Sequence, residues 1–193
     1  MSGSPADLLP GLPPWAVVTP RRVEHIAGVV GLLKRWAGER GVAPSEAARW
    51  RRAALLHDAL RDAPHDVLAR YGPAPVGWPP ALWHGPAAAA AAERDGERDA
   101  GVLDAVRYHS LGWAHWDEAG RSLFVADALE PGRMHERAVL DGLVARASSE
   151  PDAVLRDIAV IKLRWLMHIG RPIPRETWEF WNSLVADGSS SSR

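Results

Sequence analysis

The sequence predicts an all-α fold. Apolar residues recur at the three- and four-residue spacing of helices through most of the 193 residues, and capping residues precede several of these segments. We find no apolar–polar alternation typical of strands and no internal repeat. We expect one helical domain over residues 19–186, after a proline- and glycine-rich arm (residues 1–18) and before a disordered tail (residues 187–193).

The first two helices are predicted from their starts. Thr19-Pro20 reads as an N-cap followed by proline in the first turn, and an apolar stripe then continues to about Gly38. The second helix opens at Pro44 and runs through an alanine-rich segment as far as His57-Asp58. The breaker Asp62-Ala63-Pro64 follows, so this helix has to end there.

The middle of the chain predicts three shorter helices. The first runs from about His65 to Tyr71 and leads into a loop, residues 73–80, that holds several prolines. The alanine run of residues 87–92 predicts a close-packed helix. Asp99 then caps a helix that carries His109 on its apolar face.

The C-terminal part predicts three further helices. One spans Ser122–Glu130, and two amphipathic helices cover about Ala153–His168 and Arg175–Val185. The last two would be additional to the bundle. Trp178 and Trp181 are expected to be exposed on the final helix, which makes a homodimer a candidate assembly.

Composition excludes several classes of function. The formal net charge of −1 gives no basic footprint for nucleic acid and no polybasic membrane patch, whereas a small anionic ligand needs only a few arginines. No apolar run reaches the roughly 20 residues that span a bilayer, and the N-terminus does not resemble a signal peptide. We therefore expect a cytoplasmic protein. Without cysteine, any metal must be bound through nitrogen and oxygen.

The segment Leu55-Leu56-His57-Asp58 places an imidazole and a carboxylate directly after an apolar helical turn. Such a helix is expected to enter the interior, so the pair should lie at the floor of a pocket. A buried carboxylate needs a cation or a metal, because without one it is costly to bury or gives up its charge. The sequence supplies further metal ligands and no obvious dedicated cation, which favours a metal site.

Six potential ligands share a position on, or just beyond, the apolar side of a helix. Helices packed around one core would bring such groups to one point, and Asp58 is the natural bridge between two ions. A single histidine of this kind is more often an ordinary core or surface residue, and Asp127 alone could instead pair with Arg133. The six candidates are His25, His57, Asp58, His84, His109 and Asp127.

Several blocks together resemble a known family. Arg22-Val23-Glu24-His25 is similar to an Arg-x-x-His opening, and it is followed in order by LLHDALRD, LWHGPAAA, LDAVRYHSLG and LFVADALEPGR. This pattern resembles the HD superfamily of metal-dependent phosphohydrolases and, more narrowly, the YqeK-type proteins, which hydrolyse diadenosine tetraphosphate symmetrically. The resemblance covers about residues 20–185 and implies a compact HD-domain helical bundle.

The resemblance also implies how the ligands divide. One metal would be held by His25, His57, Asp58 and Asp127, and the second by His84, His109 and the shared Asp58. The family implies iron, with Mn, Co, Ni, Zn or Mg as alternatives. The expected reaction is in-line attack by a metal-bridging hydroxide on the polyphosphate, giving two ADP.

Residues near these ligands are candidates for substrate contact. The phosphate candidates are Arg61, Arg107 and Arg133, and the base-stacking or rim candidates are Trp83, Ser110, Trp113 and Trp116. Surface arginines and core tryptophans are the plain alternatives for each. The family often has Lys at Arg61 and Thr at Ser110, so the charge and the hydroxyl are kept while the geometry differs.

Four interpretations of function remain open at this point. The first is symmetrical hydrolysis of a dinucleoside polyphosphate. The second is a nucleotide phosphomonoesterase that uses the same metal site. The third is a non-catalytic helical module that binds a nucleotide. The fourth, and the plainest, is a purely structural helical protein.

Overall fold

The computed structural model describes residues 9–73, 75–130 and 137–190, and every regular element within them is helical, as predicted. Nine α-helices and one short 3₁₀ helix occur in this part of the chain. Their bounds are α1 Pro20–Glu39, α2 Pro44–Leu56, α3 His65–Ala69, the 3₁₀ helix Pro80–Leu82, α4 His84–Arg94, α5 Ala100–Tyr108, α6 Glu118–Leu129, α7 Arg137–Arg146, α8 Pro151–His168 and α9 Arg175–Ser190.

Side-chain caps fix the starts of three helices. Thr19 accepts a hydrogen bond from the backbone N–H of Arg22 at the start of α1, and Asp99 caps α5 through Val102. Asp117 caps α6 through the N–H groups of the next turn. The start expected at Ser122 was therefore wrong, because the cap lies one turn earlier.

Helix α2 ends one residue before the His57-Asp58 pair, which was expected to be helical. The N–H of His57 makes the last four-residue bond, to Ala53, at 3.0 Å. The chain then tightens into three-residue bonds, with the Arg61 N–H donating to the carbonyl of Asp58 at 3.0 Å. This tight turn leaves both His57 and Asp58 fully buried.

Helix α7 was not predicted. Its apolar stripe is short, and Gly142 interrupts it, so the helical periodicity is weak in the sequence. Leu140 and Leu143 are nevertheless buried in the main core. The predicted additional C-terminal pair follows as α8 and α9.

The main core lies between α1, α2, α6 and the C-terminal pair. Trp50, Leu123 and Leu155 are almost completely buried within it. Phe180 of α9 packs edge-on against Trp116 and Phe124, with ring centroids 5.3 and 5.4 Å apart. The C-terminal pair is thus part of the core, and its burial contributes to the stability of the domain.

The two ends of the chain differ from the expectations in detail. The arm is attached from Leu12 onward: Leu12 is buried, and the indole of Trp15 donates to Asp95 at 3.1 Å. Helix α9 continues to Ser190, into the expected tail. Trp178 is 47% exposed, whereas Trp181 is only partly exposed and packs against the core. The homodimer stays a prediction.

No helix in the described part of the chain is long and apolar enough to cross a membrane.

Candidate metal centre

The fold brings all six predicted ligands into one buried cluster. They come from five places that are separate in sequence, and none is more than 7% exposed. The sources are α1 for His25, the turn after α2 for His57 and Asp58, the first turn of α4 for His84, the C-cap of α5 for His109 and the last turn of α6 for Asp127.

The carboxylate of Asp58 lies at the centre of this cluster. Its Oδ1 atom is 3.2 Å from Nε2 of His84 and 3.4 Å from Nε2 of His109. Its Oδ2 atom is 3.7 Å from Nε2 of both His25 and His57. Two triads of ligand atoms, each spanning no more than 4.8 Å, therefore share Asp58.

Asp127 joins the first of these triads. Its Oδ1 atom lies 3.0 Å from Nε2 of His25 and 3.6 Å from Nε2 of His57. The first group therefore offers two imidazoles and two carboxylates, and the second offers two imidazoles and the other oxygen of Asp58. His65, His115 and His168, which were not selected as ligands, lie outside both triads.

The second nitrogen of each imidazole is already engaged. Nδ1 of His57, His84 and His109 lies 2.7, 3.0 and 2.8 Å from the carbonyl oxygen three residues earlier. A carbonyl only accepts hydrogen bonds, so each Nδ1 carries the proton and each Nε2 presents a lone pair to the cluster. This tautomer leaves Nε2 of each ring available to bind a metal.

The arrangement of lone pairs fits cations at the two triads. Nε2 of His84 lies 3.1 Å from Nε2 of His109, and Nε2 of His25 lies 3.4 Å from Nε2 of His57. Unprotonated nitrogens at these separations repel one another unless a positive charge lies between them. Four imidazoles and two carboxylates form a nitrogen and oxygen donor set suited to divalent transition metals.

Electrostatics keeps the central groups in their metal-binding states. Burial lowers the pKa of His84 to about 4, so this imidazole is neutral at pH 7. Burial acts to raise the pKa of Asp58, but the surrounding imidazoles, His57 foremost, lower it well below its usual value. Asp58 is therefore an anion in a buried setting.

A dedicated cation, which the sequence did not reveal, lies against Asp58. The Nη1 atom of Arg22 is 2.5 Å from Asp58 Oδ2, and its Nε atom is 3.7 Å from Asp62. Asp62 is held in turn by the backbone N–H and the hydroxyl of Thr19, each at 2.9 Å. The expectation of no counter-charge was wrong, because Arg22 reaches the carboxylate from another helix.

Sequence reasoning also missed Glu130. Its Oε2 atom accepts a hydrogen bond from Nδ1 of His25 at 2.8 Å, which leaves the Nε2 lone pair of His25 facing the cluster. Gly28 makes room for this contact, since a Cβ there would lie 2.8 Å from the Glu130 side chain. The available signal was the position of Glu130, three residues after Asp127 at the end of α6.

The three arginine candidates have different outcomes. Arg61 lies beside the second triad: its Nη1 atom donates to the carbonyl of Ala81 at 2.6 Å and is 3.3 Å from Nδ1 of His84. Arg107 is partly exposed, and its Nη1 atom donates to Asp104 at 2.9 Å. Arg133 lies outside the described residues, and so does its alternative pairing with Asp127.

The three tryptophan candidates for base stacking or the rim lie in different environments. Trp83 is partly exposed and fixed by a bond from its indole N–H to the carbonyl of Trp78 at 3.0 Å. Trp113 stacks on Tyr108, with ring centroids 4.3 Å apart. Trp116 is 5% exposed and belongs to the core, the alternative considered for it.

The C-terminal helix pair supports the loop that follows His109. Lys162 of α8 donates to the carbonyl of Ser110, and the buried hydroxyl of Thr177 donates to the carbonyl of Leu111 at 2.8 Å. The hydroxyl oxygen of Ser110 lies 3.0 Å from Nε2 of His109. These contacts hold the backbone next to a ligand of the second triad.

Comparison with known proteins agrees with this geometry. A model of the HD domain matches residues 22–132, which include all six predicted ligands. The chain belongs to the HD-domain hydrolase family, as the sequence blocks predicted.

Two known proteins are similar to this chain, one in sequence and one in fold. The chain is 30% identical, over 176 residues, to the symmetrical bis(5'-nucleosyl)-tetraphosphatase of Bacillus subtilis (strain 168), an alignment that covers 88% of this chain and 92% of that protein. It also superposes, with a TM-score of 0.73 and 21% identity, on the crystal structure of a predicted HD superfamily hydrolase involved in NAD metabolism from Clostridium acetobutylicum. That match covers 94% of this chain and 95% of the other and shows that the two share a fold.

Proposed function

We propose that this protein hydrolyses diadenosine tetraphosphate symmetrically to two ADP, using two divalent metal ions. The observation that carries the proposal is the position of Asp58, whose two oxygens face two separate groups of imidazole lone pairs. His25, His57, Asp58 and Asp127 would hold one ion. His84, His109 and the other oxygen of Asp58 would hold the second.

Two ions at such a site supply an activated water near neutral pH and neutralise charge on phosphoryl oxygens. The reaction balances as a displacement at one central phosphorus. The water oxygen forms a new bond to that phosphorus, the bond to the central bridging oxygen breaks, and the bridging oxygen leaves on the second ADP. Both products then carry two phosphates, as the name of the Bacillus relative implies for its own substrate.

The chain supplies positive charge for the remaining phosphates. Arg61 and Arg107 lie next to the ligands of the second triad, in sequence and in space. A guanidinium presents two parallel donors, which suits contact with phosphate oxygens. We assign phosphate contact to both residues, with the hydroxyl of Ser110, next to His109, as a further donor.

Iron is the ion we propose, because the family resemblance implies it, and four imidazoles and two carboxylates without thiolate suit transition metals better than Mg. Elemental analysis of the protein as purified tests this directly. Two equivalents of iron per chain are expected.

A dinucleoside polyphosphate as substrate also favours a cytoplasmic location for this protein.

The product assay tests the reaction. Metal-loaded protein incubated with diadenosine tetraphosphate should release ADP alone, and a mixture of ATP and AMP would exclude symmetrical cleavage. Release of inorganic phosphate from mononucleotides, with no cleavage of dinucleoside polyphosphates, would support the phosphomonoesterase instead. Protein that holds both metal ions but hydrolyses neither dinucleoside polyphosphates nor mononucleotides would favour the nucleotide-binding module.

A further inference from the structure

We propose that a cavity beside the second ligand triad binds one nucleobase of the substrate, with Arg107 at its edge toward the phosphates. This inference rests on the proposed function, since it assigns one nucleoside of that substrate. The cavity has a volume of about 250 Å³ and lies between α3, the turn that follows it, and the outer side of α4. Among its lining residues are His65, Leu68, Tyr71, Trp83, Ala90 and Arg107.

The size of the cavity decides how much of the substrate it takes. Pockets that enclose a whole drug-sized molecule measure roughly 300–1,000 Å³. A cavity of about 250 Å³ is too small for a dinucleotide and suits a single base. The two nucleosides of a symmetrical substrate would therefore bind to different surfaces of the protein. This cavity would hold the base of one nucleoside.

The chemistry of the lining suits a flat aromatic ring. Trp83 and Tyr71 contribute aromatic surface, and Leu68 and Ala90 contribute aliphatic surface. Trp83 is fixed on two sides, since its indole N–H bonds to Trp78 and its ring lies 5.1 Å from that of His65. A rigid indole of this kind is a favourable platform for a base, because every base offers a face for stacking.

The position of the cavity suits a nucleotide whose phosphates reach the metal ligands. Trp83 directly precedes His84, and successive Cα atoms are only about 3.8 Å apart. Arg107 is two residues before His109, and its backbone touches Gly85 of α4. One wall of the cavity thus shares its backbone with the second triad. Arg107 also lines the cavity, so its guanidinium is the cation that we assign to the phosphate next to the ribose.

Filling the cavity tests the proposal. Ala90→Trp places a large ring in it at a half-buried helical position, and Ala48→Trp makes the same change on the exposed side of α2 as a control. The probes are ADP and inorganic tripolyphosphate, measured by calorimetry on metal-loaded protein. We expect Ala90→Trp to weaken ADP binding about tenfold and to leave tripolyphosphate binding and metal content unchanged. Equal ADP affinity in the Ala90→Trp variant and the wild type would overturn the proposal.

A second measurement needs no variant and covers the case in which Ala90→Trp does not fold. Photolabelling the wild-type protein with 8-azido-ADP should modify the tryptic peptide of residues 71–94, which contains Tyr71 and Trp83. Label confined to peptides other than 71–94 and those that carry the remaining lining residues, 62–70 and 99–107, would reject the cavity as the base site. Both readouts measure binding, so they remain informative if the product assay rejects symmetrical hydrolysis.

Discussion

Gly85 and Arg107 are in direct backbone contact. A Cβ atom added at Gly85 would lie 2.8 Å from the carbonyl oxygen of Arg107 and 3.1 Å from that of Val106. Gly85 immediately follows His84, and Arg107 lies two residues before His109. Helices α4 and α5 are therefore in close backbone contact beside the point where these two imidazoles meet.

The first prediction concerns this contact. Gly85→Ala should push α4 away from α5 and lower the free energy of unfolding by about 1–3 kcal/mol, the usual cost of overpacking. It should also reduce bound metal from two equivalents toward one, because His84 and His109 would separate. Metal analysis and chemical denaturation measure both effects.

Gly31→Ala is the matched control for that variant. Gly31 is also helical, and an added Cβ there meets nothing within 4 Å. This change should be neutral or stabilising by up to about 1 kcal/mol. If the Gly85→Ala variant kept both ions, the backbone contact at Gly85 would not be what holds His84 and His109 together in the second triad.

The second prediction tests the shared carboxylate. Asp58→Ala should remove both ions and reduce turnover by at least about 100-fold, because each triad loses a ligand that carries charge. Asp66→Asn, at an exposed position on α3, should leave metal content unchanged. Metal analysis and the product assay, applied to both variants, measure metal content and turnover. An Asp58→Ala variant that retained metal and activity would end the proposal of a bridging carboxylate.

The third prediction concerns Glu130. Glu130→Ala removes the acceptor for Nδ1–H of His25, so the ring loses its fixed tautomer and orientation. Metal affinity at the first group should fall about 10- to 100-fold, as is typical when the partner of a ligating histidine is removed. Competition with a chelator measures the affinity. Glu24→Ala, an exposed neighbour of His25, should show no change, and equal affinities in both variants would rule out the positioning role.

The fourth prediction addresses the C-terminal helix pair. Lys162→Met and Thr177→Val each remove a donor to the loop after His109. We expect both variants to lose the second ion before the first and to keep the helical content of the fold. Lys34→Met, an exposed lysine on α1, is the control. Loss of both ions together would point to general destabilisation instead of loop positioning.

The fifth prediction is a pH dependence of stability. Hydrogen bonds from Arg49, at 2.6 and 2.9 Å, lower the pKa of Asp99 from 3.8 to about 2. A group with a lowered pKa in the folded state adds stability above its unfolded pKa and loses it as the pH falls through the folded value. This ion pair therefore contributes fully above about pH 4 and fades toward pH 2.

Asp99→Asn tests that contribution while keeping a good N-cap residue. Because both partners are partly exposed to solvent, we expect a loss of about 1 kcal/mol at pH 7 that shrinks between pH 4 and pH 3. Urea denaturation at several pH values measures it. A loss that stayed constant down to pH 3 would show that the effect is not electrostatic.

Much of the fold and the site could be predicted from local signals. Thr19 and Asp99 were recognisable as caps, and the six ligands stood out because each was expected on, or just beyond, the apolar side of a helix. Helix α7 escaped detection because its stripe is short and interrupted by Gly142. Arg22 and Glu130 escaped because their partners, Asp58 and His25, lie far away in sequence.

The sequence by itself determined the helical class, the ligand types and the absence of thiolate, because periodicity, caps and composition are local properties. The tertiary structure alone decided that Asp58 faces two groups at once, that Glu130 orients His25, and that a cavity lies beside His84. These are distances between side chains on different helices. They depend on how closely the helices approach, which Gly85 and Gly28 set through contacts that no local pattern encodes.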